Sequence, residues 1–314
     1  MILTRTAGAL LAASLSVLAA CGGDDAADRA DTTPATTAAT TTGAAPVLAT
    51  TSIWADITSN VACGTPIRAL IPAGADPHSY EPSLRDREAV EAARTIIANG
   101  LGLEVPVLPL LEASSAEVVE IAPHVDILHH DAPAGPEGEQ ADEHADGDPH
   151  IWQDPRRVAG AVDVIAAALE ADGIDTCADA YRDELLALDG EIETLVGGLP
   201  PESRLLVTSH DALAYFADRY GFTIVGTVIP SIDTMAEANA ADLAALSATV
   251  EELQVPAVFT EELSSSADAT ALAERLGVLV VPLVTDALGT EPGTDTYVEM
   301  MRHNAALIVQ SLAP

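Results

Sequence analysis

The stretch DTCADAYRDELLALDGEIETLVGGL, residues 175–199, decides the architecture. Within it Tyr181, Leu185, Leu188, Ile192 and Leu195 recur at steps of four, three, four and three, the period of one apolar helix face. A helix of ~20 residues spans about 30 Å, the diameter of a small lobe. A second helical tract precedes it. Asp154 and Pro155 read as N-cap and first helical residue, and Val158, Val162, Ile165 and Leu169 form one stripe. On either side of this pair, short apolar runs alternate with helical segments. Strands are expected at 47–51, 66–71, 95–98 and 118–122, and again at 204–208, 223–229, 256–260 and 278–284. Helices are expected near 81–93, 212–220, 236–254 and 267–276; in the third, Leu243, Leu246, Val250 and Leu253 share a face. Such alternation makes parallel sheets with helical crossovers. The expected fold is α/β, with two lobes, each a mainly parallel sheet flanked by helices, joined by one long rigid helix. The lobes take 47–174 and 200–314, and the helix takes 175–199 as a stiff rod.

Charge narrows the partners. The 314 residues carry 13 basic side chains, all arginine, against 49 acidic ones, a net charge of −36. Binding of nucleic acid through a basic surface is excluded on this balance, and docking on anionic headgroups is disfavoured. Attraction of cations is favoured within roughly 10 Å, the screening length of moderate salt. The same acidity would also serve solubility alone. At 48 % hydrophobic residues the chain has material for a core.

The N-terminus reads as a targeting segment. Arg5 precedes an apolar run, 7–20, that is too short to span a membrane comfortably. It ends Leu18-Ala19-Ala20-Cys21, followed by Gly22 and Gly23. This resembles a bacterial lipobox, which implies a signal peptide at 1–20 and lipid on Cys21 as the sole membrane anchor. Ordinary secretory cleavage near Ala20 is the other reading. Residues 21–46 are Ala/Thr-rich without apolar period, a flexible tether that would hold the body on the order of 25–30 Å from the membrane. With Cys21 lipidated, Cys63 and Cys177 lie outside the cytoplasm, where disulfides persist, and a Cys63–Cys177 bridge is expected. Two separately buried thiols are the alternative. No C-x-x-C spacing suggests a zinc–thiolate site.

Histidines carry the candidate chemistry. His78 follows the second strand and His150 precedes the helix at Pro155. His210 comes two residues after the strand 204–208, and Asp286 follows the strand 278–284. Ligands of open α/β sheets bind beyond the carboxyl ends of strands, and a crevice between lobes would gather two of these residues from each side. Three imidazoles and a carboxylate complete a tetrahedral set for Zn²⁺. On spacing alone the ligands are far apart in sequence, and each histidine reads more readily as an ordinary surface or core residue.

The wording around these residues carries further. IPAGADPH (71–78), DPHIWQDP (148–155), SHDALAYF (209–216) and FTEE (259–262) occur in order, followed by Asp286, Gly293, Thr294, Tyr297, Met300, Met301 and Asn304. Together they resemble the zinc/manganese solute-binding lipoproteins of bacterial ABC transporters, from about Val47 to Leu312. The resemblance implies two lobes joined by one long helix, a metal buried between them, and His78, His150, His210 and Asp286 as its ligands. It implies a non-enzymatic, monomeric, extracytoplasmic receptor that delivers its ion to a membrane permease powered by a separate ATPase. Manganese-type members tend to carry Glu at the third ligand. His210 stands there in this chain, and more nitrogen favours Zn²⁺ over Mn²⁺. Gln153 departs from the family's usual apolar residue without an evident consequence for coordination.

Several other residues complete the reading. Glu261 and Asp76 are candidates to orient ligand imidazoles. His129, His130 and His144 lie in an acidic, Gly/Pro-rich loop, 129–149, similar to the auxiliary zinc loops of the family's zinc members; a merely solvated acidic loop is the alternative. His124 and His303 are expected to be structural, and Tyr215 and Phe216 to be core. Three rival functions share the same residues. One is a manganese-specific receptor of this family. Another is a secreted zinc metalloenzyme, against which stands the lack of H-E-x-x-H and of a G-x-S-x-G nucleophile elbow. The third is a surface adhesin indifferent to metal.

Overall fold

Two four-stranded parallel sheets organise the chain. The computed structural model describes residues 47–129, 147–232, 234–236, 238–263 and 267–313. The leader 1–20, Cys21, the tether 21–46, His130 and His144 lie outside the described residues. In the first half the order is β1 (Val47–Thr51), α1 (Ser52–Val61), β2 (Arg68–Ile71), α2 (Leu84–Ala92), β3 (Thr95–Ala98), α3 (Leu108–Ala113) and β4 (Glu117–Glu120). Then come α4 (Pro155–Ala171) and α5 (Ala178–Val196). The second half runs β5 (Leu205–Thr208), α6 (Ala214–Tyr220), β6 (Thr223–Thr227), α7 (Ala240–Leu253), β7 (Ala257–Glu261), α8 (Ala267–Leu276), β8 (Leu279–Leu283) and α9 (Tyr297–Leu312). The strand orders are β2-β1-β3-β4 and β6-β5-β7-β8. Each order reverses beside its first strand, so each sheet has a switch point where crevices form at the carboxyl ends.

Local chemistry sets the element ends. Asp154 caps α4 by accepting from Arg156 N at 2.8 Å, with Pro155 at the first helical position. Asn239 accepts from the backbone of Ala241 and Asp242, both at 3.0 Å. That cap starts α7 at Ala240, four residues after the position expected from apolar period. On α7 Leu246 and Val250 are buried, whereas Leu253 is exposed. On α5 Tyr181, Leu185, Leu188 and Ile192 are buried as expected, but Leu195 is 40 % exposed and Val196 is buried in its place. At 100° per residue both positions lie about 50° from the centre of the stripe, so period cannot choose between them. Tertiary packing does, since Val196 joins the main apolar cluster.

The core explains how the halves are joined. One continuous apolar cluster includes Trp54 and Ile57 of α1, the α4 stripe, Leu185 and Leu188 of α5, Phe216 of α6, Phe259 of β7, and Tyr297 and Met301 of α9. A second cluster packs α2 and α3 on the outer face of the first sheet, and a third packs α7 and α8 on the outer face of the second. Each sheet is thus covered on both faces, as parallel sheets require. The expected linking helix, α5, packs in a layer with α1, α4 and α9 that both halves share. Cys63 and Cys177 form a disulfide in which the end of α1 meets the start of α5, reinforced by Cys177 N donating to Val61 O at 2.8 Å. Among the described residues no helix is long and apolar enough to cross a membrane.

Candidate metal centre

A tripeptide used twice builds half of the site. In Asp76-Pro77-His78 the Asp76 carboxylate accepts from His78 N at 2.9 Å; in Asp148-Pro149-His150 the Asp148 carboxylate accepts from His150 N at 2.8 Å. Proline leaves each turn no other amide to satisfy, so the aspartate fixes the histidine backbone. The first turn is tied to the other half by Thr234 Oγ1, which donates to Asp76 at 2.8 Å, and by Gly74 N, which donates to Leu288 O at 3.0 Å. Gly74 has φ +74°, a conformation that glycine adopts without strain.

The second half comes from β-strand ends. His210 follows β5 and Glu261 ends β7, so they flank the switch point of the second sheet. Asp286 follows β8. Two residues before it, the backbone of Val284 is held by Asn304, which accepts from Val284 N at 3.1 Å and donates to Val284 O at 2.6 Å. Thr285 O accepts from Trp152 Nε1 at 2.7 Å and from Gln153 Nε2 at 3.3 Å, both from the opposite half. The unusual Gln153 therefore has a contact, one residue from Asp286.

These elements bring together His78, His150, His210 and Asp286, with one donor atom of each lying within 4.8 Å of all the others. His150 Nε2 is 3.4 Å from His210 Nε2, and each is 3.7 Å from an Asp286 oxygen. A tetrahedron with metal–ligand distances near 2.1 Å has edges of roughly 3.4 Å, close to these separations. His150, His210 and Asp286 are buried, and His78, half-buried as a residue, has its Nε2 shielded from solvent.

Carboxylates behind the rings decide which nitrogens face inward. Asp148 Oδ1, already the acceptor for His150 N, lies 2.7 Å from His150 Nδ1. Glu261 Oε1 accepts from Ser209 Oγ at 2.8 Å and pairs with His210 Nδ1. Each Nδ1 therefore donates outward and each Nε2 lone pair points into the site. Two lone pairs and a carboxylate facing one another in a buried space need a positive charge between them. Asp286 Oδ1 is buried and, among the described residues, accepts no hydrogen bond. Without an ion, a proton supplies the charge. Burial disfavours the His210 imidazolium, but Asp286, Glu261 and Asp76 outweigh it and hold its pKa up at about 9. Burial raises Asp286 to about 6; His210 opposes this and Glu261 adds to it.

Of the residues singled out from sequence, Glu261 touches a ring directly, whereas Asp76 acts on the His78 backbone. His124, His129 and His303 are exposed and take no part in this group. Asp148, an acid of the loop 129–149, is not among the residues singled out from sequence, and the Asp-Pro-His shared by 76–78 and 148–150 is the signal that could have found it. Glu104 was missed altogether. Fully buried, it accepts from Thr50 Oγ1 and Asn99 N, both at 2.6 Å, and from Gly100 N at 3.1 Å. Asn99 in turn donates to Pro149 O at 2.8 Å, next to His150.

Known proteins share this organisation. The family described as zinc-uptake complex component A, periplasmic (ZnuA), matches residues 47–311. Manganese-binding lipoprotein MntA of Halalkalibacterium halodurans is 35 % identical over 83 % of this chain and 86 % of its own length. Zinc-binding protein TroA of Treponema pallidum is 30 % identical over 85 % of this chain and 88 % of its own. The solved structure of TroA matches with a TM-score of 0.74 at 28 % identity, covering 87 % of this chain and all of the solved TroA chain. The manganese ABC transporter substrate-binding lipoprotein PsaA of Streptococcus mitis is 28 % identical over 85 % of this chain and 89 % of its own. These are solute-binding receptors, not enzymes. With the family matched over almost all of the described residues and the two-lobe fold shared with TroA, the chain belongs to the ZnuA family of metal-binding receptors.

Proposed function

We propose that this chain is the extracytoplasmic receptor of an ABC importer, anchored by lipid on Cys21, that captures Zn²⁺ between lobes 47–174 and 200–314 and delivers it to a membrane permease with a cytoplasmic ATPase. His78, His150, His210 and Asp286 are the proposed ligands, with Glu261 and Asp148 orienting two of the imidazoles. The single observation that carries this reading is the approach of His150 Nε2 to His210 Nε2, 3.4 Å apart and buried, beside the Asp286 carboxylate. Three nitrogens and one oxygen suit the borderline Zn²⁺ better than the harder Mn²⁺. A manganese receptor is the second reading, supported by the manganese-binding name of the 35 % identical MntA. The loop holding His129, His130 and His144 is proposed as an auxiliary, exchangeable zinc-capture segment. Competition between Zn²⁺ and Mn²⁺ for the purified full chain, with elemental analysis of the bound metal, tests the ion. One tight Zn²⁺ per chain, with the preference moved toward Mn²⁺ in His210→Glu, is the expected result. Preference of the unaltered chain for Mn²⁺ overturns the zinc reading; full-strength binding by His210→Ala overturns the ligand set.

A further inference from the structure

Tyr215, the second residue of α6, is fully buried and is none of the four donors. Its hydroxyl donates to Asp148 O at 2.7 Å and accepts from Leu128 N at 3.1 Å. Between the same two residues Asp148 N donates to Leu128 O at 2.8 Å. Three hydrogen bonds thus close the neck formed by Leu128 and Asp148, and two of them meet on one phenolic oxygen from the opposite half. Asp148 then holds both the backbone and the ring Nδ1 of His150. On the other side, α6 follows His210 through a tight turn in which Ala212 N donates to His210 O at 3.1 Å.

The ring is itself immobilised. The Arg157 guanidinium lies 4.8 Å over its centroid, pinned by Asp154 at 2.6 Å and by Asp126 O at 2.9 Å. Ala122 and Ile151 pack with it as a small apolar cluster. Phenylalanine would serve that packing equally well. A buried hydroxyl is costly unless paired, and here both its donor and its acceptor capacity go to one neck.

We infer that Tyr215 is a positioning residue: its hydroxyl fixes Asp148, and through it the His150 ring, relative to the His210 segment, so that the two Nε2 atoms stand at coordinating separation before an ion arrives. The inference rests on the four-donor reading for its consequence on metal binding, but its structural part stands in the metal-free protein.

The test compares the full chain with Tyr215→Phe and, as control, Tyr220→Phe, whose hydroxyl lies on the same helix but bonds Asp189 at 3.3 Å. In the metal-free protein, nitrogen NMR of the imidazoles should show the His150 Nδ1–H signal shifted or broadened in Tyr215→Phe and unchanged in Tyr220→Phe. With metal, Tyr215→Phe should bind Zn²⁺ about tenfold more weakly by chelator competition, the lower end of losses seen for outer partners of metal ligands. Its Co²⁺ visible spectrum should also change, while the control keeps both properties. A Tyr215→Phe protein with the His150 signal, Zn²⁺ affinity and Co²⁺ spectrum of the unaltered chain overturns the inference. If the unaltered chain binds neither ion while Tyr215→Phe still shifts the His150 signal, the four-donor reading fails and the positioning role stands.

Discussion

Replacing Glu261 separates charge from geometry at the candidate centre. Its Oε1 accepts from Ser209 Oγ and pairs with His210 Nδ1. Glutamine can keep an oxygen at that place, so Glu261→Gln retains both bonds and loses only the charge; Glu261→Ala loses both. A hydrogen bond to a charged group contributes about 1.5–3 kcal/mol against about 0.5–1.5 for a neutral pair. The difference, on the order of 1–1.5 kcal/mol, corresponds to about tenfold in affinity. Loss of the whole partner costs about 10–100-fold. Proton competition acts in the opposite direction. With the His210 pKa at about 9, an ion entering below that pH must displace a proton. Affinity of the unaltered chain should therefore rise by about tenfold per unit between pH 7 and 9, leaving it about 100-fold below its alkaline limit at pH 7. Removing the Glu261 charge lowers the His210 pKa and weakens that competitor. Above pH 9 only the lost bond strength remains. The expected result is a tenfold deficit for Glu261→Gln at pH 9.5 that narrows toward pH 7, and a larger deficit for Glu261→Ala. Chelator competition from pH 6.5 to 9.5, with proton release measured by calorimetry in two buffers, reads both effects. Identical pH slopes for all three proteins, or full affinity of Glu261→Ala at pH 9.5, would refute the reasoning.

Three further outcomes follow from the fold. Leu188→Ala, at a fully buried position of α5, should lower unfolding free energy by about 2–5 kcal/mol in urea titrations, whereas Leu195→Ala, 40 % exposed, should cost under about 1 kcal/mol. Replacing Cys63 and Cys177 together by serine should cost about 4 kcal/mol, because the bridge closes a loop across 114 residues of sequence; an unchanged denaturation midpoint would contradict this. Glu104→Ala leaves Asn99 N and Gly100 N without their buried acceptor, and Thr50 Oγ1 with only Ile97 O at 3.4 Å. At about 1–3 kcal/mol for each stranded group, a loss of at least about 2 kcal/mol is expected, with weakened metal binding through Asn99 and Pro149, measured by thermal unfolding and chelator competition.

Legibility from sequence tracked how local each signal was. The strands and the Asp154 cap were readable because pattern and capping act over a few residues. The end of α5 was not, since Leu195 and Val196 lie equally far from the helix stripe and only the packed core distinguishes them. Donor types were visible in His78, His150, His210 and Asp286, and the phrases around them carried the family resemblance. Glu104 gave no signal, because a carboxylate in an apolar stretch reveals its partners only once Asn99 and Thr50 are folded around it.

The residue order alone therefore established two parallel-sheet halves, the helices between them and a set of donors suited to a borderline cation, all properties written in short-range period and side-chain chemistry. Tertiary structure alone decided that His150 and His210, 60 residues apart, meet at 3.4 Å, that outer carboxylates turn their Nε2 atoms inward, and that α5 is buried in a shared layer. These depend on how two sheets pack across one core, and distances between remote segments are set by that packing, not by any local repeat.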